Sequence, residues 1–196
     1  MRSPVFSALC LGLALPIIAV AAGPAPGRPD TWARPVAGTT LKNCFRVSDE
    51  LYRSAQPRAR DLPALGALAV KTVLDLRRYH ADSVQFQRAG FHLEAEGMGA
   101  GNVTVPQLIA ALRKFRAAPK PVLVHCWHGS DRTGFFVAGY RIVFQGWSRD
   151  AAIAELKQGG FGFNAARYPN IVRVLAGLDA DSVRRQVLSA DAGGKP

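Results

Sequence analysis

The chain is short of the residues that build specialised protein classes. Its three cysteines, Cys10, Cys44 and Cys126, are too few for a disulfide-built scaffold. The four histidines, His80, His92, His125 and His128, stand at no standard metal-binding spacing with those cysteines, so neither a metal ion nor another cofactor is expected. Acidic residues are scarce, 14 Asp plus Glu against 25 Lys plus Arg, which leaves a formal net charge of +11. Such a surface draws anions, whether phosphate esters or an acidic membrane surface. Basic residues are not interleaved with aromatic ones in a nucleic-acid-binding pattern, so no nucleic acid partner is expected. Internal repeats are absent, and a single long apolar run excludes a multi-span membrane protein. What is present, 48% hydrophobic and 20% charged residues, excludes a disordered chain and suits one compact domain.

The apolar run extends from Val5 to Val20, after Arg2 and before Ala21, Ala22 and Gly23. It reads as a secretory signal over residues 1–22, which makes the mature protein secreted or periplasmic; the alternative is an uncleaved N-terminal anchor. Cys10 would leave with the signal. Residues 23–40 are rich in Pro, Gly and Ala without apolar period, as in a flexible linker. The folded unit is expected over 41–189, with a frayed tail at 190–196.

Within that unit, strand and helix patterns alternate. Cys44 to Val47 and Leu51 to Arg53 suggest a short N-terminal hairpin. Leu62, Leu65 and Leu68 recur at helical spacing, and Thr72 to Leu76 is a β-branched apolar run suited to a buried strand. A helix over Ser83 to Ala89, a strand at Phe91 to Leu93 and a Gly-rich loop from Gly97 to Asn102 come next. Thr104 is placed to cap a helix that starts at Pro106 and stops before Pro119. Pro121 to His125 reads as a central strand, Cys126 to Gly134 as a polar loop, and Phe135 to Gln145 as a helix. A further helix over Ser148 to Gln158, a loop over Gly159 to Asn164 and a helical region from Tyr168 complete the unit. This alternation predicts an α/β fold with a mainly parallel central sheet flanked by helices.

The loop between the central strand and its helix holds the chemistry. It runs His125-Cys126-Trp127-His128-Gly129-Ser130-Asp131-Arg132-Thr133-Gly134. A tight loop at a helix N-terminus turns backbone N–H groups into one concavity, and the helix dipole adds partial positive charge. A phosphate fits such a cradle, and the same field favours a thiolate, so Cys126 is expected to be an anionic nucleophile. Arg132 supplies a planar fork able to hold two phosphate oxygens, which Lys cannot do. Coincidental packing does not explain a cysteine flanked by His, Gly, Arg and Thr-Gly, whereas for Cys44 a packed core position is the default.

These residues resemble the signature of the cysteine-dependent protein tyrosine and dual-specificity phosphatases: His-Cys, five residues, Arg, then Ser or Thr. Leu51-Tyr52-Arg53-Ser54-Ala55-Gln56-Pro57, Thr72 to Arg77, and the stretch from Gly146-Trp147 to Gly162-Phe163 are similar to the bacterial dual-specificity-like branch. The resemblance implies a cysteine-phosphatase fold and hydrolysis of a phosphomonoester through a phosphocysteine on Cys126. It further implies that Thr133 helps the sulfur leave and that His125 orients the loop. The substrate would be a phosphorylated protein or a small phosphate monoester.

One departure bears on the proton donor. Dual-specificity phosphatases usually carry an acidic Asp about thirty residues before the cysteine, but the stretch Glu94 to Asn102 contains none. Asp131, directly before Arg132, is the favoured acid, as in myotubularin-type and some secreted bacterial phosphatases; Glu96 is the second choice. Those bacterial relatives have Lys where this chain has Ser130, which weakens a claim for multiply phosphorylated inositol lipids. Trp127, His128, Gly129, Ser130 and Gly134 are candidate substrate contacts, with a core anchor the other reading of Trp127 and a solvated position the other reading of His128. Arg77 is expected in a structural ion pair and Arg78 at a solvated surface. Three further readings stay open: a phosphoinositide or inositol phosphate phosphatase, a phosphate-binding module without turnover, and a Cys44 to Cys126 disulfide that switches the nucleophile off.

Overall fold

The computed structural model of the chain describes residues 28–79 and 84–189. The expected signal over 1–22, the first part of the linker, Ser83 and the tail at 190–196 lie outside the described residues. No helix among the described residues is long and apolar enough to cross a membrane.

Six strands form one sheet: β1 (Arg34–Pro35), β2 (Phe45–Arg46), β3 (Leu51–Ser54), β4 (Thr72–Arg77), β5 (His92–Met98) and β6 (Val122–His125). Their spatial order is β1-β2-β3-β6-β4-β5, with β1, β2 and β3 antiparallel and β3, β6, β4 and β5 parallel. The described residues also form seven α-helices: α1 (Leu62–Ala67), α2 (Val84–Arg88), α3 (Val105–Ala117), α4 (Asp131–Gln145), α5 (Arg149–Gln158), α6 (Pro169–Ala176) and α7 (Ala180–Leu188); α1 to α4 lie against the sheet, and α5, α6 and α7 pack on α3 and α4. The predicted α/β class, the mainly parallel sheet and the hairpin of β2 with β3 are all present.

The strand period of two divides the core. Leu51, Leu74, Leu76, Val122 and Val124 face one side and pack with α3 to α7, whereas Tyr52, Val73 and Leu123 face the other and pack with Leu65, Val70 and Phe86. Each fully buried large side chain contributes about 1.5–3 kcal/mol. Thr104 begins α3 as expected: its hydroxyl accepts from the Gln107 amide in a capping box.

Four expectations need correction. The segment 28–40 is part of the fold from Arg28 onward, because β1 pairs with β2, Ala33 is buried and its amide donates to Glu155 at 2.6 Å. Strand β5 continues to Met98 because β4 continues to pair with it, Arg77 opposite Met98, so the predicted loop is only its last residues. Helix α4 begins at Asp131, four residues before Phe135, so the second half of the signature is its first turn. The last helical region breaks into α6 and α7 at Gly177 to Asp179, where Asp179 caps α7 by accepting from Ser182 at 2.9 Å.

The disulfide expectation also fails. Both cysteines are free and buried. Cys44 precedes β2, packs with Tyr52 and Leu123, and lies two strands from β6, about 10 Å at normal strand spacing. Cys126 packs on the opposite face with Val122 and Val124. A disulfide requires Cα atoms roughly 4.4–6.8 Å apart and converging side chains. Burial raises the Cys44 thiol from 9.0 to about 11, as suits an inert core residue.

Candidate active site

Strand β6 ends at His125, and the chain turns through Cys126 to Ser130 before α4 starts, so the loop stands at the C-terminal edge of the parallel strands. Open α/β sheets bind ligands at this edge. Three successive loop carbonyls are tied down by the N-terminal hairpin and the segment after it. Trp127 O accepts from the Gln56 amide at 3.2 Å, His128 O from Asn43 Nδ2 at 2.9 Å, and Gly129 O from Arg53 Nη2 at 2.7 Å. A loop whose carbonyls are held by its surroundings is free to turn its N–H groups inward, which is how a peptide loop becomes an anion nest. Gly129 makes the turn possible: φ is +72°, and an added Cβ would stand 2.5 Å from the Ser54 carbonyl.

Cys126 is 2% exposed, and His125 behind it is fully buried. His125 Nδ1 lies 3.1 Å from Cys126 O, and its Nε2 lies 4.0 Å from Asp75 Oδ1. Asp75 in turn holds Arg77 through Nε and Nη2 at 2.9 and 2.7 Å. The predicted structural ion pair of Arg77 is therefore this one, and it backs the histidine that precedes Cys126. Two polar atoms around the loop lack partners although they are buried, Arg132 Nε and Thr133 Oγ1. Such atoms cost about 1–3 kcal/mol each unless a ligand or reacting group satisfies them.

The mouth beside the loop is a cavity of about 290 Å³ lined by Arg77, Arg78, Tyr79, Met98, Gly99, Trp127 and Arg132. Tyr79 and Trp127 are the aromatic part of its rim, at 81% and 51% exposure. Arg78, expected as mere solvated surface, is exposed but lines this mouth. Trp127 is no core anchor; it divides the mouth from a second cavity of about 470 Å³ that also involves His128. Ser130 is buried, and its carbonyl accepts from the Gly134 amide at 2.9 Å.

Gly134 does not belong with the substrate contacts. Its amide is spent inside α4, and a Cβ there would overlap Leu156 of α5, so this glycine serves close helix packing. The two candidate acids stand in different settings. Asp131 opens α4, and its Oδ1 accepts from the Asn164 amide at 3.1 Å, which ties the 159–168 loop to the signature. Glu96 is on β5 and is held by Lys114 of α3 at 2.9 Å.

Sequence reasoning did not assign Asn43, Arg53 or Gln56 to the site, although all three hold the loop. Asn43 carries the positive φ of 53° that Asn tolerates. Arg53 had a signal: a charged residue inside a strand whose other positions read as buried. Gln56 acts through its backbone, which residue identity does not reveal.

Comparison with known proteins agrees with this geometry. A family model described as the tyrosine phosphatase family matches residues 40–168. The dual specificity protein phosphatase TpbA of Pseudomonas aeruginosa is 40% identical over 144 residues, 72% of this chain and 65% of that protein. The aligned stretch thus spans just under two thirds of that relative. The crystal structure of a Cys-to-Ser variant of TpbA in complex with phosphotyrosine superposes with a TM-score of 0.73 at 35% identity, covering 85% of this chain and 99% of that one. The core catalytic domain of the phosphatase SIW14 from Saccharomyces cerevisiae, in complex with citrate, gives 0.67 at 26% identity, covering 80% and 96%.

Proposed function

The chain belongs to the tyrosine phosphatase family, and from that premise we propose that it hydrolyses phosphate monoesters, phosphotyrosine in proteins first among them, through a phosphocysteine on Cys126. The observation that carries the proposal is the trio of loop carbonyls, of Trp127, His128 and Gly129, tied to the hairpin and the segment after it, beside a nearly buried sulfur and the unpartnered Arg132 Nε and Thr133 Oγ1. Cys126 Sγ attacks phosphorus as the ester P–O bond breaks, and the leaving oxygen takes a proton from Asp131. Arg132 follows the charge on the equatorial oxygens, and the loop amides hold it in place without reorganisation. Water then attacks phosphorus and passes a proton to the Asp131 carboxylate, the S–P bond breaks, and Thr133 Oγ1 supports the departing thiolate. His125, backed by Asp75, orients the loop. The aromatic rim of Tyr79 and Trp127 suits an aryl phosphate, and the TpbA complex with phosphotyrosine supports that choice.

We extend the proposal to the cell compartment. Residues 1–22 direct export, the phosphatase works outside the cytoplasm, and its positive charge favours contact with acidic membrane surfaces.

A substrate panel on the mature protein and on Cys126→Ser tests the reading. Steady release of phosphate from phosphotyrosine peptides, abolished in Cys126→Ser, is the expected result. Faster release from phosphoinositide vesicles or inositol phosphates would move the substrate class, and one product equivalent without further release would make the protein a binding module. Asp131→Asn should slow poor leaving groups by about 10²-fold or more and flatten one limb of the pH profile. If Glu96→Gln does so instead, the acid is Glu96.

A further inference from the structure

The feature that the proposed chemistry leaves unused is a buried positive charge. Arg53 of β3 is 1% exposed, has no ion pair among the described residues, and leaves its Nε without any partner. Its one hydrogen bond goes to the Gly129 carbonyl, and the face of its guanidinium lies 3.6 Å from the centroid of the Phe161 ring. That ring is itself fixed edge-on against Phe45 at 4.8 Å. The carboxylate nearest in the electrostatic sense, Glu155, is committed elsewhere: it binds Arg141 at 2.8 and 2.7 Å and the Ala33 amide at 2.6 Å.

A cation removed from water without a carboxylate destabilises a fold, and packed hydrophobic residues would serve stability better. Burial pulls the Arg53 guanidinium well below its ordinary value, down to about 10, against which the negative charges of Glu155 and the Cys126 sulfur act. The Cys126 sulfur is thus one of the charges to which the buried Arg53 is coupled, and Arg53 reaches the same loop through the Gly129 carbonyl.

We propose that Arg53 is a positioning residue for the phosphatase reaction: a charge with no bonded carboxylate, fixed behind the signature loop, that favours the Cys126 thiolate and the phosphoryl group it receives, while its Nη2 holds the Gly129 carbonyl. The proposal rests on Cys126 being the nucleophile. Glu155 acts on Arg53 without bonding to it, because Arg141 and the Ala33 amide hold its oxygens; a carboxylate bonded to Arg53 would cancel more of the field at the sulfur.

Three substitutions separate charge from bracing. Arg53→Gln keeps a donor for Gly129 and loses the charge, Arg53→Lys keeps the charge, and Arg53→Met loses both. The measurement is the rate of iodoacetamide alkylation at Cys126 against pH, read by peptide mass. Gln and Met should displace the profile upward by about one pH unit, close to a tenfold loss of rate on its acid limb. Lys should stay with the parent, and Arg53→Met should unfold at an equal or higher temperature than the parent. A Gln profile that coincides with the parent would overturn the inference. So would a folded Lys variant displaced as far as Gln is expected to be, which keeps the test open if the uncharged variants do not fold. Alkylation needs no turnover: displaced profiles without hydrolysis of any ester would leave the role of Arg53 standing and remove the hydrolase reading, and hydrolysis with unmoved profiles would do the reverse.

Discussion

Arg141 and Arg53 are buried to the same degree on the same side of the sheet, yet their surroundings differ in kind. Arg141 donates to both oxygens of Glu155, to the Val47 carbonyl and to Gln145, and lies over the Trp147 ring at 4.3 Å. Arg53, below the signature loop, has one carbonyl and one aromatic ring. The first arrangement spends every hydrogen-bonding group on the fold. The second leaves unpartnered atoms, and they cluster with those of Arg132 and Thr133 around the loop that holds Cys126. Of the four buried side-chain atoms without a partner among the described residues, three, on Arg53, Arg132 and Thr133, surround the loop where an anion would satisfy them; the fourth is Asp61 Oδ1.

The contrast can be broken from either side. The largest effect is expected at Arg132: Arg132→Lys keeps the charge but loses the planar fork, and kcat/KM for an aryl phosphate should fall about 10³-fold while the unfolding temperature barely moves. A loss below about tenfold would mean that the fork geometry is not used. On the satisfied side, Glu155→Ala strands Arg141 and should lower the unfolding free energy by about 3–5 kcal/mol, measured by urea denaturation. Turnover per folded molecule should suffer far less than stability, and the opposite order would erase the distinction between the two regions.

The smallest effect concerns Cys44. Burial raises its thiol from 9.0 to about 11, so over that interval the unfolded chain has released the proton and the folded one retains it. The unfolded state binds fewer protons there, and stability is lost as pH rises from about 9 to about 11, while below 9.0 the contribution is fully present. Cys44→Ala should flatten that part of the denaturation profile without changing turnover. An unchanged slope would assign the alkaline loss to other groups.

Much of this organisation was legible in the chain. The alternation of Thr72 to Leu76 and Pro121 to His125 with helical patterns specified a parallel sheet, and the residues from His125 to Thr133 specified the loop. Where the reading failed, the deciding interaction was distant in sequence. Residues 28–40 carry no apolar period, so nothing local announced that Arg28 would reach the Gly159 carbonyl or that Ala33 would bond Glu155. Gly97 and Gly99 looked like a loop because glycine is weak in strands, but pairing with β4 extends β5 to Met98. Gly134 reads as part of the cradle by position alone, and only the structure shows that Leu156 of α5 approaches it closely.

Spacing over fewer than ten residues was enough to single out Cys126, Arg132 and the strand-loop-helix that presents them. Which groups hold the loop open, and which charges go unpaired, depends on contacts between distant segments. Asn43, Arg53 and Gln56 meet the loop from more than seventy residues away, and whether a buried arginine finds a carboxylate is settled by how β3, α4 and α5 pack, a balance of desolvation and contact that no local pattern encodes.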